Sequence, residues 1–503
     1  MSSETTPTKA NMQSFKVLQT QANSAARQGT FAVSRTNANT ISTPNFLLPT
    51  SRGSVPHLTP EILRKHVDVP ALYIGVEDFI YKAAMKSPLT LSGFKIRDYV
   101  SIMPPLDSKS PQIPIFLSPR RSNPIPTSQP STDNTLAVVT SDGFRQFPIQ
   151  EYFQLVSQIK DDDTVVIAPT DLPLMLVPNG ARGSGVAVRS STKVGGNRSR
   201  KLVVRNEKWS TSMLEKFSKD VPVIVPLIPG ISFSQQQMYF DSLLGKENVF
   251  VAAKTIETID GLAVSDLTSP FLPEPEAEEE EDLDRLGQKE NIAPENDTSL
   301  TSASTVDYKL IPTELKEVVR LNMAYQNGPH DVLRAFERGS DLVCGDWITT
   351  ATDAGLGFSF TLPTDDASVH DGHQKLDFAH NFIDNEKYAS DLSPIAEGCE
   401  CYTCTKHHRA YIAHLINANE MLAWTLLQIH NIHVANQFMS AIREAIKAGT
   451  FTTAATSFCH LYVEHISGVK LGAPRVRGYQ VRLVGGTDKK LNEKAFRDLS
   501  ADV

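Results

Sequence analysis

Three of the five cysteines of this 503-residue chain lie within six residues, in the segment Gly-Cys-Glu-Cys-Tyr-Thr-Cys. They are Cys399, Cys401 and Cys404, and a helical pattern downstream of them carries His430. Thiolate and imidazole ligands of this kind hold structural zinc in a tetrahedral site, which leaves no position open for a substrate. The spacing therefore predicts a structural zinc ion, with three unrelated buried cysteines as the alternative.

Composition and cysteine use indicate a globular protein of a reducing compartment. Apolar residues make up 40% and charged residues 21% of the sequence, and no apolar run approaches the ~20 residues that a membrane-spanning helix needs. The first residues contain no apolar signal-peptide core, and Glu4 argues against a transit peptide. Cys344 and Cys459 have no evident disulfide partner. A cytoplasmic protein is therefore expected.

The net charge of −8 is concentrated in one short segment. Its eight acidic residues are Glu274, Glu276, Glu278, Glu279, Glu280, Glu281, Asp282 and Asp284. Without this segment the rest of the sequence is close to neutral, so the net charge does not exclude a nucleic-acid partner.

A basic segment lies within this nearly neutral remainder. It contains Arg182, Arg189, Lys193, Arg198, Arg200, Lys201, Arg205 and Lys208. A second basic cluster near the C-terminus consists of Arg475, Arg477, Arg482, Lys489 and Lys490. Because such clusters can follow a phosphate backbone, the first one is a candidate RNA contact, with a solvated surface loop as the alternative.

Short apolar segments alternate with helical patterns between residues 24 and 268. We predict strands at 45–49, 71–76, 113–117, 136–140, 164–168, 221–227 and 249–253, and helices at 60–66, 76–84, 149–159, 212–217 and 234–244. Continuous runs of Val, Ile and Leu are typical of parallel strands that are buried on both faces. The repeated alternation of strand and helix therefore favours an α/β fold, specifically a TIM barrel.

Composition also divides the chain into segments. Residues 1–23 are polar and are predicted to be disordered, and the acidic, Pro-rich and Ser/Thr-rich residues 269–306 cannot bury enough apolar surface to fold. We therefore predict a barrel in two parts, 24–268 and 307–390, that closes across a disordered insertion at 269–306. A zinc-binding subdomain with helices at 407–429 and 434–447 is expected within 391–450, followed by a C-terminal segment at 451–503.

The metal-binding segment closely resembles that of the tRNA-guanine transglycosylases, which exchange a guanine in tRNA for a deazaguanine base. In that family the cysteine cluster leads into a helix with an Arg-Ala-Tyr sequence, and a His-Asn dipeptide supplies the fourth ligand. This chain has Arg409-Ala410-Tyr411 and His430-Asn431 at matching positions. The resemblance implies a TIM barrel with a zinc-bearing subdomain near its C-terminal end, and it selects His430 as the fourth ligand. The resemblance assigns no ligand role to the neighbouring histidines, which are His407, His408, His414 and His433.

Further segments between residues 24 and 450 match the same family. They are Ala26-Arg27-Gln28-Gly29, Thr43-Pro44-Asn45-Phe46, the run from Arg52 to Thr59, and the runs from Gly328 to Leu333 and from Glu337 to Leu342. Gly261-Leu262-Ala263-Val264 resembles the family's base-binding loop, in which active members have a further glycine where this chain has Asp260. The resemblance therefore implies Gly261 and Leu262 as candidate base-binding residues.

The nucleophile of the family is absent at its expected position. Base exchange requires a carboxylate that attacks the anomeric carbon of the ribose and a second carboxylate that handles the proton on the base. The family's nucleophile follows a Gly-x-Asp-Leu strand, and aligning that strand with Gly339-Ser340-Asp341-Leu342 places Cys344 at the aspartate. Asp346 would lie on the same face as Cys344 if the strand continued. We expect Cys344 to be a buried apolar residue, with a thiolate nucleophile as the alternative.

The second carboxylate is missing as well. The family carries it in an Asp-Ser-Gly-Gly-Phe-Gln segment, and the nearest segment here is Thr90-Leu91-Ser92-Gly93-Phe94, with leucine in place of the aspartate. A third family carboxylate, which hydrogen-bonds the incoming base, would fall near Thr170-Asp171. Asp171 is therefore a further candidate base-binding residue.

The absence of two catalytic carboxylates, together with an intact metal site, predicts a protein that keeps the family fold without its catalytic activity. The resemblance implies a non-catalytic subunit with one structural zinc ion, tRNA as a partner, and a catalytic subunit that exchanges the wobble guanine for queuine in a heterodimer. It also implies a cytoplasmic complex and allows peripheral contact with the outer mitochondrial membrane. The alternatives are an active transglycosylase that uses Asp346 or Cys344 and a zinc-stabilised RNA-binding protein without a role in base exchange. A zinc hydrolase is excluded, because three thiolates and a histidine close the metal site.

Overall fold

The computed structural model describes residues 14–21, 24–36, 39–80, 112–122, 124, 127, 130–140, 143–172, 175–178, 186–189, 196–229, 231–245, 259–264, 311–363, 375–383, 386–466 and 469. At 143, 175–178 and 186–189 the description is of the backbone alone. Several predicted features lie outside these residues. They are the strand at 249–253, the insertion at 269–306, the segment 90–94, Arg182, Lys193 and the basic cluster near the C-terminus.

The strands follow the apolar segments of the sequence. In chain order they are β1 (Phe15–Thr20), β2 (Arg27–Ala32), β3 (Thr40–Thr43), β4 (Asn45–Pro49), β5 (Leu72–Gly75), β6 (Ile115–Ser118), β7 (Thr135–Thr140), β8 (Gly143–Pro148), β9 (Thr164–Ile167), β10 (Met175–Pro178), β11 (Val186–Arg189), β12 (Val223–Leu227), β13 (Gly261–Val264), β14 (Val319–Asn322), β15 (Leu342–Cys344), β16 (Leu356–Phe358) and β17 (Ala379–Asn381).

Eight of these strands form a closed parallel barrel in the order β4-β5-β6-β9-β12-β13-β14-β15, with β15 pairing back onto β4. This closure confirms the predicted TIM-type α/β fold. The predicted strand at 136–140 is not part of the barrel, because β7 pairs instead with β8 in an antiparallel hairpin. The hairpins β7–β8 and β10–β11 lie between barrel strands, where they extend the loops at one end of the barrel.

Ten α-helices accompany the strands in the described residues. They are α1 (Pro60–His66), α2 (Ile149–Ile159), α3 (Gly196–Phe217), α4 (Phe233–Leu243), α5 (Pro329–Glu337), α6 (Asp346–Asp353), α7 (Tyr402–Lys406), α8 (Arg409–Asn417), α9 (Met421–Ala448) and α10 (Phe451–Leu461). Side chains alternate along each barrel strand, so Phe46 and Leu48 pack outward against the helices while Leu47 packs into the barrel.

A small antiparallel sheet covers the amino-terminal end of the barrel. Its strands β1, β2 and β3 contribute Phe15, Phe31 and Ile41 to the same buried cluster as the barrel interior. The prediction that residues 1–23 are disordered is therefore wrong for β1, because alternate side chains of this strand find an apolar surface to bury.

Two buried ion pairs hold this sheet to the barrel. Arg27 of β2 donates two hydrogen bonds to Asp341, which precedes β15, at 2.8 and 2.6 Å. Arg35 pairs with Asp260, which precedes β13, at 2.5 Å. Asp260, the residue that replaces a family glycine, also accepts the Val223 N–H at 2.8 Å. Its carboxylate therefore has a structural role at the amino end of the barrel.

Four helix predictions need correction. The described part of the predicted helix at 76–84 is a short 3-10 helix, Val76–Phe79, and the chain is extended at Ile80. The predicted short helix at 212–217 is the last part of α3, which begins at Gly196 within the basic segment. The predicted helix at 407–429 is interrupted where Asn419 adopts a left-handed conformation with φ 56°. A single helix, α9, then runs from Met421 through 430–433 to Ala448, because the apolar periodicity continues there.

The barrel closes across the predicted insertion. Strand β13 pairs in parallel with β14, from Gly261 opposite Val319 to Val264 opposite Asn322, although 54 residues separate Val264 from Val319 in the sequence. The predicted closure of the barrel between its two parts is thus confirmed.

Candidate metal centre and barrel mouth

The three clustered cysteines and His430 come together in space. Their ligand atoms all lie within 4.8 Å of one another. His430 Nδ1 is 3.7 Å from Cys399 Sγ, 3.5 Å from Cys401 Sγ and 3.3 Å from Cys404 Sγ. Among the described residues this is the one group of His, Cys, Asp and Glu side chains with such geometry.

The other ring nitrogen of His430 determines which tautomer is present. Nε2 lies 2.7 Å from the carbonyl oxygen of Phe358 in β16. Because a carbonyl only accepts, Nε2 must carry the proton, which leaves the Nδ1 lone pair directed at the three sulfur atoms. A backbone carbonyl in this position is the usual partner of a metal-binding histidine. The donor set therefore fits a metal ion.

The short helix α7 presents two of the cysteines. Cys401 precedes the helix, and its Sγ accepts the Cys404 N–H at 3.3 Å. Thr403, on the buried side of α7, donates a hydrogen bond to the Leu426 carbonyl of α9 at 2.7 Å. Hydrogen bonds among the three sulfur atoms lower the pKa of the Cys399 thiol and raise that of the Cys401 thiol.

Asn431 supports the cluster, a role that the residue pattern alone does not predict. Its side-chain oxygen accepts the Phe358 N–H, and its amide donates to Thr352 and to the Leu356 carbonyl, each at 2.9 Å. Asn431 therefore fixes β16 and α6 against the helix that carries His430. The His-Asn dipeptide of the family motif was the sequence feature that could have indicated this role of Asn431.

Cys344 lies at the carboxyl end of β15, with its side chain in the barrel interior. It is 2% exposed and belongs to the same buried cluster as Leu47 and Tyr73. Burial raises the pKa of its thiol well above the ordinary value, so the neutral thiol predominates near pH 7. The expected buried, apolar role of Cys344 agrees with this environment.

Asp346 does not continue the β15 strand. It is the first residue of α6, so the prediction that it shares a strand face with Cys344 is wrong. Gly345 makes the turn between the two elements, and its N–H donates to the Leu47 carbonyl at 2.8 Å. The Asp346 carboxylate accepts a hydrogen bond from Ser122 Oγ at 3.0 Å.

Asp171 lies beyond the carboxyl end of β9 and is 3% exposed. Its carboxylate forms an ion pair with Arg205 of α3. Its backbone N–H donates to the side-chain oxygen of Asn206 at 3.0 Å. Asp171 is therefore held against α3 through both its side chain and its backbone.

Gly261 and Leu262 lie at the amino end of β13, so the structure does not bring them together with Asp171. A Cβ atom on Gly261 would lie 2.6 Å from Val319 Cγ1, which explains why glycine is needed where the strands approach. The Leu262 side chain packs outward in the helix layer. Base contacts from these two residues stay a prediction.

The described candidates for RNA contact lie mainly on α3. Arg200 and Lys201 are exposed on this helix and Arg198 is half-buried, whereas Arg189 ends β11. Arg205 is different: it is bound to Asp171 and, at 3.2 Å, to Asp133, and only 11% of its side chain is exposed. Arg205 is therefore engaged within the protein, and an RNA contact from this residue stays a prediction.

A closed parallel barrel, followed by a Cys3His cluster after its last strand, defines the architecture expected of a tRNA-guanine transglycosylase. The family model for queuine tRNA-ribosyltransferase matches residues 308–464. This match covers β14, β15 and the whole metal cluster.

Individual relatives carry related names. Residues of this chain are 28% identical over 444 positions to queuine tRNA-ribosyltransferase accessory subunit 2 of Schizosaccharomyces pombe, which covers 88% of this chain and 83% of the relative. The accessory subunit 2 of Anopheles gambiae is 24% identical over 415 residues, 81% of each chain. A queuine tRNA-ribosyltransferase of Syntrophobacter fumaroxidans is 38% identical over 130 residues, or 26% of this chain and 30% of the relative. The resemblance to the transglycosylase family and to its accessory subunits is confirmed.

Proposed function

We propose that this chain is the non-catalytic subunit of a heterodimeric queuine tRNA-ribosyltransferase. In this proposal a catalytic partner exchanges the anticodon wobble guanine of tRNA for queuine, and the present chain contributes to dimerisation and tRNA positioning. The observation that carries the proposal is Cys344, an uncharged, buried thiol at the carboxyl end of β15, where the family resemblance implies a nucleophilic aspartate.

The carboxylates that follow β5 and β9 at the barrel mouth support this proposal because each one is engaged or shielded. Asp78 pairs with Arg121 at 2.5 Å, and Asp171 pairs with Arg205. Glu77 is 2% exposed and burial raises its pKa. A nucleophile must instead be directed at the anomeric carbon with its charge free to attack.

We propose zinc as the ion of the Cys3His cluster, with a structural role. Three thiolates and one imidazole match the ligand preference of zinc and fill its tetrahedral shell. When bound, the ion stabilises the fold and supplies no reaction chemistry. The chain's own residues join three segments at this point: the loop and helix that carry the cysteines, α9 with His430, and β16 through the Phe358 carbonyl.

We propose that exposed apolar side chains in the segments around the cluster contribute to the surface that binds the catalytic partner. Met421 is 84%, Leu392 74% and Ile383 61% exposed. Large exposed apolar side chains are common at protein–protein interfaces. We propose that the metal cluster stabilises this surface for dimerisation.

For tRNA, we propose contacts to phosphates from Arg200 and Lys201 on α3. Both side chains are exposed, and Arg198 lies on the same part of the helix. Contacts of this kind would orient the tRNA without reading its sequence.

The complex is expected to act in the cytoplasm, and peripheral contact with the outer mitochondrial membrane stays a prediction from the resemblance. Across the residues that the structure describes, none of the helices has the length and apolar character required to traverse a bilayer.

The test is incorporation of labelled queuine into tRNA by three samples: this chain alone, a catalytic homologue alone, and their mixture. We expect no incorporation by the chain alone and a higher rate in the mixture than with the homologue alone. Incorporation by the chain alone would contradict the proposal, and Asp346→Asn and Cys344→Ala would then identify the nucleophile. An unchanged rate in the mixture, together with tRNA binding by the chain, would instead favour the RNA-binding alternative.

A further inference from the structure

The ion pair between Asp171 and Arg205 lies at the end of the barrel where the family resemblance implies base recognition. Asp171 follows the carboxyl end of β9, and it is the residue that the family resemblance connects with recognition of the incoming base. Arg205 Nη1 donates to Asp171 Oδ2, while its Nε and Nη2 donate to Asp133 Oδ1 at 3.3 and 3.2 Å. One oxygen of this buried carboxylate is therefore already bound to a guanidinium group.

A second guanidinium group lies near the same carboxylate. Arg120 follows β6, is 7% exposed, and is attracted electrostatically to both Asp171 and Glu77. Its buried Nε makes no hydrogen bond. Asp171 thus interacts electrostatically with two arginines, and Arg205 forms the ion pair with it.

Arginine and guanine offer a carboxylate nearly the same group. A guanine-type base presents two adjacent N–H donors, one on its ring and one on its exocyclic amine, and both can bind the two oxygens of one carboxylate. Arg presents the same fork of donors and carries a full positive charge as well. An arginine side chain held at one carboxylate oxygen competes with a base for that oxygen and for the space in front of it.

We propose that Arg205 binds the carboxylate of Asp171 in place of an incoming base. This ion pair within the chain thereby prevents the chain from binding a guanine-type base. Arg205 is thereby a specificity-determining residue: it leaves the supply of base to the catalytic partner. This inference takes the role of Asp171 from the family resemblance, and it deepens the proposed function by naming the residue that blocks the base site.

The test is equilibrium dialysis of the full-length chain against radiolabelled guanine. Arg205→Ala should bind guanine more tightly than the unmodified chain, on the order of tenfold or more, because a charge-assisted hydrogen-bond pair becomes available. Arg205→Gln, which keeps most of the side-chain volume and adds no charge, should show a gain of the same sign. The double variant Arg205→Ala with Asp171→Asn should return to the affinity of the unmodified chain.

Matched controls separate this effect from a general change in the helix. Lys216→Ala removes an exposed basic residue near the other end of α3 and should leave guanine binding unchanged. Adenine, which lacks the two adjacent donors, should gain nothing from Arg205→Ala. Equal guanine affinity in the unmodified chain and in folded Arg205 variants would overturn the inference, as would a gain that persists in the double variant.

The outcome is independent of the proposed subunit role. If the chain stimulates queuine incorporation by its partner but Arg205→Gln shows no gain in guanine binding, only the blocking role of Arg205 is refuted. If guanine binding increases but the partner is not stimulated, the blocking role of Arg205 is supported and the accessory role is refuted.

Discussion

Cys401 contributes to the metal cluster in two ways. Its sulfur lies 3.5 Å from His430 Nδ1, and it also accepts the Cys404 N–H at the start of α7. Metal binding in such a site is coupled to folding, because no preformed ligand set exists in the unfolded chain. We therefore expect the fold of this subdomain to depend on the complete ligand set.

We predict that Cys401→Ala abolishes metal binding and unfolds the segment around α7 and α8. The measurement is the zinc content of the purified protein together with limited proteolysis of the subdomain. Cys459→Ala is the matched control, because Cys459 lies on α10 outside the cluster and should keep one metal ion per chain. Full metal content in Cys401→Ala would remove this residue from the ligand set.

We expect His330 to make the stability of the protein depend on pH. This histidine of α5 is 4% exposed, packs against Phe458 at a ring distance of 5.0 Å, and has no hydrogen bond at Nδ1. Burial lowers its pKa below the ordinary value, although a weak bond to the Tyr462 carbonyl and the nearby Glu464 oppose this effect. His330 is therefore neutral in the folded protein under conditions in which the unfolded chain already takes up a proton.

The sign of the effect follows from that difference. The stability from neutral His330 is present above the unfolded pKa of about 6.5 and is lost as the pH falls below it. We predict that the decrease in Tm between pH 7.5 and about 5.5 is smaller in His330→Gln than in the unmodified chain. His460→Gln, at an exposed position of α10, should keep the full decrease. Parallel pH profiles for the His330 variant and the unmodified chain would refute this account.

Helix α3 shows how an element defines the role of a charge cluster. The basic residues read as a possible loop in the sequence, yet from Gly196 onward they lie on a helix whose apolar side contains Leu202, Trp209 and Met213. The helix turns Arg205 inward to Asp171 and leaves Arg200 and Lys201 outside. The periodicity of apolar residues over the full length of α3 could have indicated this helix, but the high charge of its first half obscured the pattern.

We predict that reversing both exposed charges, with Arg200→Glu and Lys201→Glu, weakens tRNA binding. The slope of log affinity against log salt should decrease by about 2, since each lost phosphate contact removes about one released counterion. The measurement is tRNA binding over a salt series by the complex with the catalytic partner. Lys216→Glu, on the same helix but distant from this region, serves as the control. Unchanged affinity and slope in the double variant would assign these residues to a solvated surface.

At the scale of the whole molecule, the barrel does not need residues 269–306 for its closure. Strands β13 and β14 pair directly on either side of the insertion, and both are buried. Loop-closure entropy changes only slowly with loop length. We predict that replacing residues 269–306 with a short Gly/Ser linker changes Tm by no more than about 3 °C. A metal-loaded chain with a much lower Tm would show that the insertion contributes to the fold.

The architecture and the Cys3His cluster were largely predictable from the sequence, for physical reasons that apply to particular segments. Strands such as β12 and β9 are runs of β-branched residues, and cysteines with this spacing have few other roles. The strand β1 was not predictable, because its hydrophobic partner surface, the amino end of the barrel, is formed by distant segments. The pairing of Asp171 with Arg205 was hidden for the same reason: 34 positions separate the two residues, and only tertiary packing brings them together.

The hydrogen bond from His430 to the Phe358 carbonyl connects the metal cluster with a tryptophan side chain. The Phe358 ring stacks on Trp347 with a centroid distance of 5.1 Å and an interplanar angle of 25°. Any displacement of His430 when the metal leaves would pass through β16 to this indole, one of three tryptophans in the chain. If the cluster binds a metal ion, we expect the intrinsic tryptophan fluorescence to change, through Trp347, when a chelator removes that ion.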